Sequence, residues 1–130
     1  TQTDEVLRFG EINRPDVIIN CAALTDVELC EKEPEHAFRV NALGARNLSI
    51  VARKTGAKMV QLSTDDVFDG LGKKPYTEFD DTNPITVYGK SKLAGEKYSI
   101  SVGVEDPMTG KMNVRFAMQC EYKSGKNFLW

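Results

Sequence analysis

The sequence predicts an α/β fold with an open, mostly parallel sheet. Three short runs rich in β-branched and apolar residues, at 16–20, 58–63 and 112–118, are typical of strands in such a sheet. Helical and loop patterns separate them, giving the order strand, helix, strand, loop, helix, strand. That order favours right-handed crossovers within one sheet. At 130 residues, the chain fits one modest domain.

The chain begins with a short helix and a strand. Residues 3–13 start with Thr3 as a cap and place acidic residues in the first turn, and Pro15 prevents the helix from continuing. The segment DVIIN (16–20) contains an uninterrupted apolar run, which predicts a strand buried on both faces.

A long helix is predicted at 35–55, with Gly56 in the C-terminal position that glycine favours. One face carries residues spaced three and four apart: Phe38, Asn41, Ala45, Leu48 and Ala52. Asn41 interrupts the apolar face, and a buried amide needs hydrogen-bond partners. We therefore predict that Asn41 bridges a strand and a helix, with support of a functional site as the alternative.

The second half is predicted to contain a strand at 58–63, a loop at 64–86, a helix at 87–100, a polar turn at 101–111 and a strand at 112–118. The apolar run KMVQLS favours a second buried strand. Loops as long as 64–86 are uncommon in compact domains and tend to be functional.

Ligands of open α/β sheets bind beyond the carboxyl ends of the strands, so we expect functional groups at 21–25, at 63–68 and after Met118. The small residues of CAALT (21–25) let a flat ligand approach the backbone, although core packing explains them equally well. The Thr64 hydroxyl can hydrogen-bond a substrate carbonyl at this edge. The alternative is a local turn that Thr64 starts with Asp65.

Composition and charge limit the partners of the chain. A net charge of −2, with acidic and basic residues mixed along the sequence, leaves no basic face for nucleic acid. No apolar run reaches the roughly 18–20 residues of a membrane span, and no leader pattern is present. We therefore expect a soluble, cytoplasmic protein with no nucleic acid and no membrane as partner. The chain opens at Thr1 with a helical pattern, and we expect it to be a piece of a longer protein.

No metal site is predicted. The cysteines are Cys21, Cys30 and Cys120. Their spacing fits neither a zinc site nor a disulfide framework, so we expect free thiols. The single histidine, His36, is expected at the surface. An EF-hand counted from Asp65 would need an oxygen ligand at its third position, where the chain has Val67, so calcium is excluded as well.

The segment VYGKSKLAGE (87–96) places a tyrosine and a lysine four residues apart at the start of a helix. Residues at this spacing are neighbours, so the Lys92 ammonium can lie near the Tyr88 phenol and favour the phenolate. The pKa of the tyrosine would then move from about 10 toward the working pH, where the phenol can exchange a proton with a carbonyl or alcohol. A surface tyrosine beside a lysine stem is the alternative.

Spacing alone does not identify a catalytic pair, because Tyr122 and Lys126 have the same separation. Only Tyr88 follows a strand pattern that ends in two hydroxyl residues, Ser63 and Thr64. The context therefore favours Tyr88 and Lys92 as the functional pair.

Several separated motifs agree, in order, with one known family. They are NCAALTDVELCEKEPEHAFRVNALGARNL (20–48), QLSTDDVFDG (61–70), PYTEFDDTNPITVYGKSKLAGEKY (75–98) and GKNF (125–128). Together they resemble the extended short-chain dehydrogenase/reductase family, and most of all its dTDP-4-dehydrorhamnose reductase branch. The resemblance covers about residues 3–100.

This resemblance implies reduction of a dTDP-4-keto-6-deoxyhexose by NADPH or NADH, a step of dTDP-L-rhamnose biosynthesis. By position, Thr64 would orient the substrate ketone, Tyr88 would protonate its oxygen, and Lys92 would tune the phenol and bind the nicotinamide ribose. Asp65 and Met118 match substrate-side positions, Met118 standing where the family has a tryptophan. The residues that match the stretch along the cofactor are Ala23, Leu24 and Thr25.

The fold that the resemblance implies is a partial, Rossmann-like, doubly wound parallel sheet. None of the ten glycines forms the glycine-rich turn that binds pyrophosphate in such folds. We therefore expect residues 1–130 to be a single partial NAD(P)-binding domain, with 112–130 leading into a substrate-binding region. It would lack the N-terminal glycine-rich strand-turn-helix and most of the substrate domain, and we expect it to be inactive alone. Asp66 departs from the tyrosine that is usual in the family.

Two other functions stay open at this point. The same family contains nucleotide-sugar epimerases and dehydratases, which would act on a related dTDP-sugar or other nucleotide-sugar. The regulatory β subunit of methionine adenosyltransferase has a similar fold and similar motifs, so a non-catalytic binding subunit is the alternative from a different class. The oligomeric state is also open, with a homodimer as one form.

Overall fold

The computed structural model describes residues 2–77, 79–102, 114–120 and 128–129. The elements, in chain order, are α1 (Thr3–Asn13), β1 (Val17–Asn20), α2 (Val27–Lys32), α3 (Pro34–Phe38), a π-helical turn (Arg39–Leu43), α4 (Gly44–Thr55), β2 (Lys58–Thr64), a 3₁₀ turn (Asp65–Val67), α5 (Val87–Val102), β3 (Val114–Cys120) and β4 (Phe128–Leu129). The predicted α/β order is confirmed, while α2 and β4 were not predicted. Most of the predicted turn at 101–111 lies outside the described residues.

The described strands form one sheet in the order β1-β2-β3-β4. The pairs β1–β2 and β2–β3 are parallel, as predicted, and β4 is antiparallel to β3. Parallel neighbouring strands require a crossover connection. The segment from α3 to α4 crosses between β1 and β2, and α5 crosses between β2 and β3. The carboxyl ends of β1 and β2 therefore meet at one edge of the sheet.

The prediction that β1 is buried on both faces is wrong for this chain. Ile18 packs against a small core that contains Met59 and Ala52 from β2 and α4. The side chains of Val17 and Ile19 alternate to the other face, where they are 49% and 62% exposed. In the part of the chain that the structure describes, the apolar run is covered on one side only.

Helix α1 begins without the cap that the sequence predicts. Thr3 is already helical, and Gln2 occupies the capping position without a side-chain hydrogen bond. At the other end, Arg14 turns into the left-handed region with φ 40 and donates its N–H to the Gly10 carbonyl. Pro15 follows this turn, so the predicted end of the helix is confirmed.

The predicted long helix is interrupted by the π-helical turn. Gly56 ends it with φ 76, as predicted. A π turn holds one residue more than an α turn, so it shifts which residues face inward on its N-terminal side. Ala37 is accordingly fully buried, whereas Phe38, which the regular spacing placed on the inner face, is 38% exposed.

Two glycines let α5 pack directly on neighbouring backbone. A Cβ at Gly89 would lie 2.2 Å from the Asp66 carbonyl oxygen, and one at Gly95 would lie 2.5 Å from the Asn41 carbonyl oxygen. Any other residue at these positions would push α5 away from the 3₁₀ turn and the π turn. None of the helices in the described ranges is long and apolar enough to cross a membrane.

We predict that Gly95→Ala lowers the free energy of unfolding by about 2–3 kcal/mol, because its methyl group would overlap the Asn41 carbonyl. The gain in helix propensity, about 1 kcal/mol, does not offset this overlap. Urea unfolding of the protein made from the complete coding sequence measures the effect.

Gly56→Ala is the matched control, because it adds the same methyl group in open space. Its cost, about 1–2 kcal/mol, comes from the left-handed backbone alone. A Gly95→Ala variant as stable as the wild type would show that α5 does not need this close approach.

Candidate active site

The Thr64 and Tyr88 side chains meet at the carboxyl end of β2. Thr64 is the last residue of the strand and is 7% exposed, while Tyr88 lies half-buried in the first turn of α5. The contact of Gly89 with the Asp66 carbonyl brings the 3₁₀ turn onto this first turn. This contact places the Thr64 hydroxyl near the Tyr88 phenol, whose pKa burial raises and the hydroxyl lowers to a smaller extent.

Thr64 also starts the local turn with Asp65 that the sequence offered as the alternative to a substrate contact. Its hydroxyl oxygen accepts a hydrogen bond from the Asp66 N–H at 3.3 Å and donates to the Asp65 carboxylate at 3.3 Å. The turn uses the one proton of the Thr64 hydroxyl, so a hydrogen bond to a substrate carbonyl requires that proton to turn away from Asp65. Burial, followed by the charge of Asp65, raises the pKa of Asp66.

The predicted shift of the Tyr88 pKa is in the wrong direction. Burial, more than any other cause, raises the pKa of the phenol, and the charges of Asp66 and Asp65 add to the increase. Lys92 does not contribute to the shift, because its amino group is directed to the sheet. At neutral pH the side chain is therefore a protonated phenol, which can donate a proton.

Lys92 anchors α5 to the end of β2. Its side chain is 5% exposed, and its amino group donates a hydrogen bond to the Leu62 carbonyl at 2.6 Å. Burial lowers the pKa of Lys92, and the carboxylate of Glu96 acts in the opposite direction. The amino group thus lies behind the Thr64 and Tyr88 pair, at the carboxyl edge of the sheet.

Asn41 connects the segment after β1 to α5, and the predicted bridging role is confirmed. Its amide oxygen accepts a hydrogen bond from the Leu24 N–H at 2.7 Å, and its amide nitrogen donates to the Leu24 carbonyl at 3.0 Å. The same nitrogen donates to the Ser91 hydroxyl at 2.9 Å. Ser91 in turn donates to the Tyr88 carbonyl at 2.8 Å.

A second contact holds the start of α5. The Glu31 carboxylate, on α2, accepts a hydrogen bond from the Val87 N–H at 2.7 Å. The Thr86 hydroxyl accepts another from the Gly89 N–H at 3.0 Å. These bonds satisfy amides that have no partner within the helix, and the carboxylate also suits the positive end of the helix dipole.

The long loop after Thr64 is ordered around Asp69. Its carboxylate accepts hydrogen bonds from the Leu71 N–H at 3.0 Å, the Tyr76 hydroxyl at 2.8 Å and the Asn83 amide at 3.0 Å. The Leu71 bond is the largest of the effects that lower the pKa of Asp69. The ring of Tyr76 stacks on that of Phe68 with centroids 4.3 Å apart.

The remaining predicted residues lie around this centre. Ala23 and Leu24 are partly buried in the segment after β1, and Thr25 is exposed. Met118 lies on β3 in register with Ser63, one position from Thr64. A groove of about 660 Å³ runs beside this segment, and its lining includes Asn20, Ala22, Arg39 and Gly44.

The thiols and acidic residues give no metal centre in the described ranges. Cys21 and Cys30 are free, as predicted. His36 is a partly exposed residue 3.1 Å from the Glu33 carboxylate. No group of three metal-ligating side chains occurs among the residues that the structure describes.

Sequence reasoning missed the residues that position the site rather than react in it. Glu31, Ser91 and Glu96 were not singled out, and Gly89 was read only as part of the motif. The motif VYGKSKLAGE contains three of these four residues, so their proximity to Tyr88 in sequence was the available signal. The partner of Glu31 lies 56 residues away, and no local pattern indicates it.

Many of the known proteins that this chain resembles are dTDP-4-dehydrorhamnose reductases. The family model for the RmlD substrate binding domain matches residues 1–129. The dTDP-4-dehydrorhamnose reductase of Salmonella typhimurium is 52% identical over 84 residues, which are 65% of this chain and 28% of that protein. The enzyme of the same name from Mycobacterium tuberculosis strain H37Rv is 38% identical over 131 residues, covering 98% of this chain and 41% of that protein.

The solved structures agree with the sequence matches. The crystal structure of dTDP-4-dehydrorhamnose reductase from Bacillus anthracis in complex with NADP has a TM-score of 0.76 and 42% identity. The match covers 78% of this chain and 36% of that one. The chain thus spans less than half of the length of the relatives that it matches.

We predict that Asn41→Ala lowers the free energy of unfolding by about 2–3 kcal/mol, because it leaves the partly buried Leu24 N–H without its acceptor and removes two donated hydrogen bonds. Urea unfolding of the complete protein measures the change.

Asn13→Ala is the control, since the Asn13 amide makes one exposed hydrogen bond, to the Phe9 carbonyl. Its cost should stay within about 0.5 kcal/mol. Equal stabilities for the two variants would mean that the buried amide does not hold the segment after β1.

Proposed function

The chain belongs to the RmlD substrate binding domain family, and on this premise we propose that its complete protein reduces the 4-keto group of a dTDP-activated 6-deoxyhexose. One observation carries the proposal: a buried Thr64 hydroxyl and a protonated Tyr88 phenol meet where the sheet presents groups to a ligand. The relatives named dTDP-4-dehydrorhamnose reductase support this choice of substrate.

Tyr88 is the proposed proton donor. In the reduction, a hydride adds to the carbonyl carbon, and the electron pair of the C=O bond moves to oxygen, which takes the phenolic proton and becomes a hydroxyl. The raised pKa of Tyr88 keeps that proton in place until the oxygen becomes basic. The Thr64 hydroxyl, which donates to the Asp65 carboxylate in the structure, would turn its one proton to the same oxygen and orient the ketone.

NADPH or NADH is the proposed cofactor and would supply the hydride. The segment after β1 fits such a group, because it is partly open, most of its residues are small, and Ala22 at its start lines the groove of about 660 Å³. Asn41 fixes both backbone groups of Leu24, so the backbone would meet the cofactor in one conformation. Residues 23–25 and the amino group of Lys92 are the proposed contacts.

Asp65 and Met118 are proposed for the substrate side of the site. Asp65 follows Thr64 directly, and its carboxylate accepts the Thr64 hydroxyl hydrogen bond. The backbone of Met118 lies in register with Ser63 on the neighbouring strand, so both residues belong to the same edge of the sheet. A sugar held between them would have its ketone near Thr64.

Domain boundaries, oligomeric state and location stay predictions from the sequence. We propose that residues 1–130 form part of one NAD(P)-binding domain, with 112–130 leading toward a substrate-binding region. A homodimer and a cytoplasmic location are proposals of the same kind. An epimerase or dehydratase would give a different sugar product, and a binding subunit would reduce no ketone, so product analysis separates all three functions.

We predict that Tyr88→Phe in the complete protein lowers kcat for the dTDP-4-keto-sugar by about 10²–10⁴-fold, because the proton donor is lost while the ring remains. Tyr98→Phe is the control, since Tyr98 lies on the same helix and is 40% exposed. It should leave kcat unchanged. Turnover is measured by cofactor oxidation and by chromatography of the sugar product. If Tyr88→Phe turns over as fast as the wild type, the role of Tyr88 is refuted.

A further inference from the structure

Two charged side chains of α5 enter the same layer between this helix and β2. Lys92 and Glu96 are four residues apart, so they lie on one face of the helix. Lys92 donates to the Leu62 carbonyl, and the Glu96 carboxylate accepts a hydrogen bond from the Ser63 hydroxyl. Both charges therefore reach consecutive residues at the end of the same strand.

A buried ammonium needs compensation, because one hydrogen bond to a carbonyl does not replace its hydration. Lys92 is 5% exposed. Glu96 is the charge that raises the pKa of Lys92, against the larger effect of burial. On Glu96 itself, burial raises the pKa, and the Ser63 hydroxyl, Lys92 and Lys97 lower it.

We propose that Glu96 is a positioning residue whose carboxylate, held by the Ser63 hydroxyl, is the counter-charge that keeps Lys92 an ammonium at the end of β2. Lys92 can then present donors to ribose hydroxyls and a positive charge behind Tyr88. The catalytic consequence rests on the proposed function, whereas the charge state of Lys92 does not.

The direction of the effect follows from the charges. Burial lowers the pKa of Lys92, and removing the Glu96 carboxylate removes the charge that opposes this effect, so the pKa falls further and the ammonium is lost at a lower pH. Removing the Ser63 hydroxyl raises the pKa of Glu96, which weakens the same counter-charge indirectly.

The test is Glu96→Gln in the complete protein, because glutamine keeps the shape and can still accept the Ser63 hydrogen bond. We expect the alkaline limb of the kcat/KM profile to move to lower pH by about one unit. Glu28→Gln is the matched control, because it removes the same charge from an exposed i,i+4 pair with Lys32. It should leave the profile unchanged.

A second measurement reads the charge of Lys92 without any activity. The rate of brief acetylation of Lys92 is measured by peptide mass spectrometry at a series of pH values. The midpoint is the pH at which this rate is half of the rate of the fully neutral amine. We expect this midpoint to fall by about one unit in Glu96→Gln and by less in Ser63→Ala. The double variant should match Glu96→Gln, because both changes act through one carboxylate.

The outcomes separate this inference from the proposed function. The same Lys92 midpoint in Glu96→Gln and Glu28→Gln would overturn the inference, whatever the enzyme does. A wild-type protein that reduces no ketone would overturn the proposed function, and the Lys92 midpoint would still decide the role of Glu96. If Glu96→Gln does not fold, a Ser63→Ala midpoint equal to that of the wild type overturns the inference.

Discussion

The amide of Asn41 connects the three pieces of backbone on which the candidate site depends. It binds the N–H and the carbonyl of Leu24 and the hydroxyl of Ser91, and it is itself held in the π turn. An unpaired buried donor costs about 1–3 kcal/mol, so the segment after β1 cannot shift alone. The spacing between the proposed cofactor segment and Tyr88 is thus set by side chains that do not react.

This arrangement was partly visible in the sequence. A polar residue on an apolar helical face needs partners, which predicts a bridge, and the bridge is present at Asn41. The π turn was not predictable, because it differs from an α-helix by one residue in a turn and no propensity separates them. Its effect is visible just before the turn, where Ala37 rather than Phe38 is buried.

Helix α5 shows why the periodicity of hydrophobic residues does not identify the face of a helix that is buried. Its buried residues are small or polar: Gly89, Ser91, Lys92, Gly95 and Ser99. Large side chains such as Tyr98 and Ile100 are 40% and 44% exposed. Close contact with the Asp66 and Asn41 carbonyls and hydrogen bonds to β2 determine the orientation instead of apolar burial. A hydrophobic pattern has no information about such contacts, since they depend on backbone that is distant in sequence.

The relation between Tyr88 and Lys92 shows that sequence spacing also does not predict where a long side chain places its charge. A spacing of four residues fixes the proximity of two Cβ atoms, but a lysine has three further carbons before its charged nitrogen and can direct that charge elsewhere. Here the Lys92 ammonium donates a hydrogen bond to the Leu62 carbonyl. Burial raises the pKa of Tyr88, so the phenol keeps its proton. A protonated phenol is the form that can donate a proton to a ketone oxygen, so this division of contacts leaves Tyr88 in the state that the proposed reduction requires.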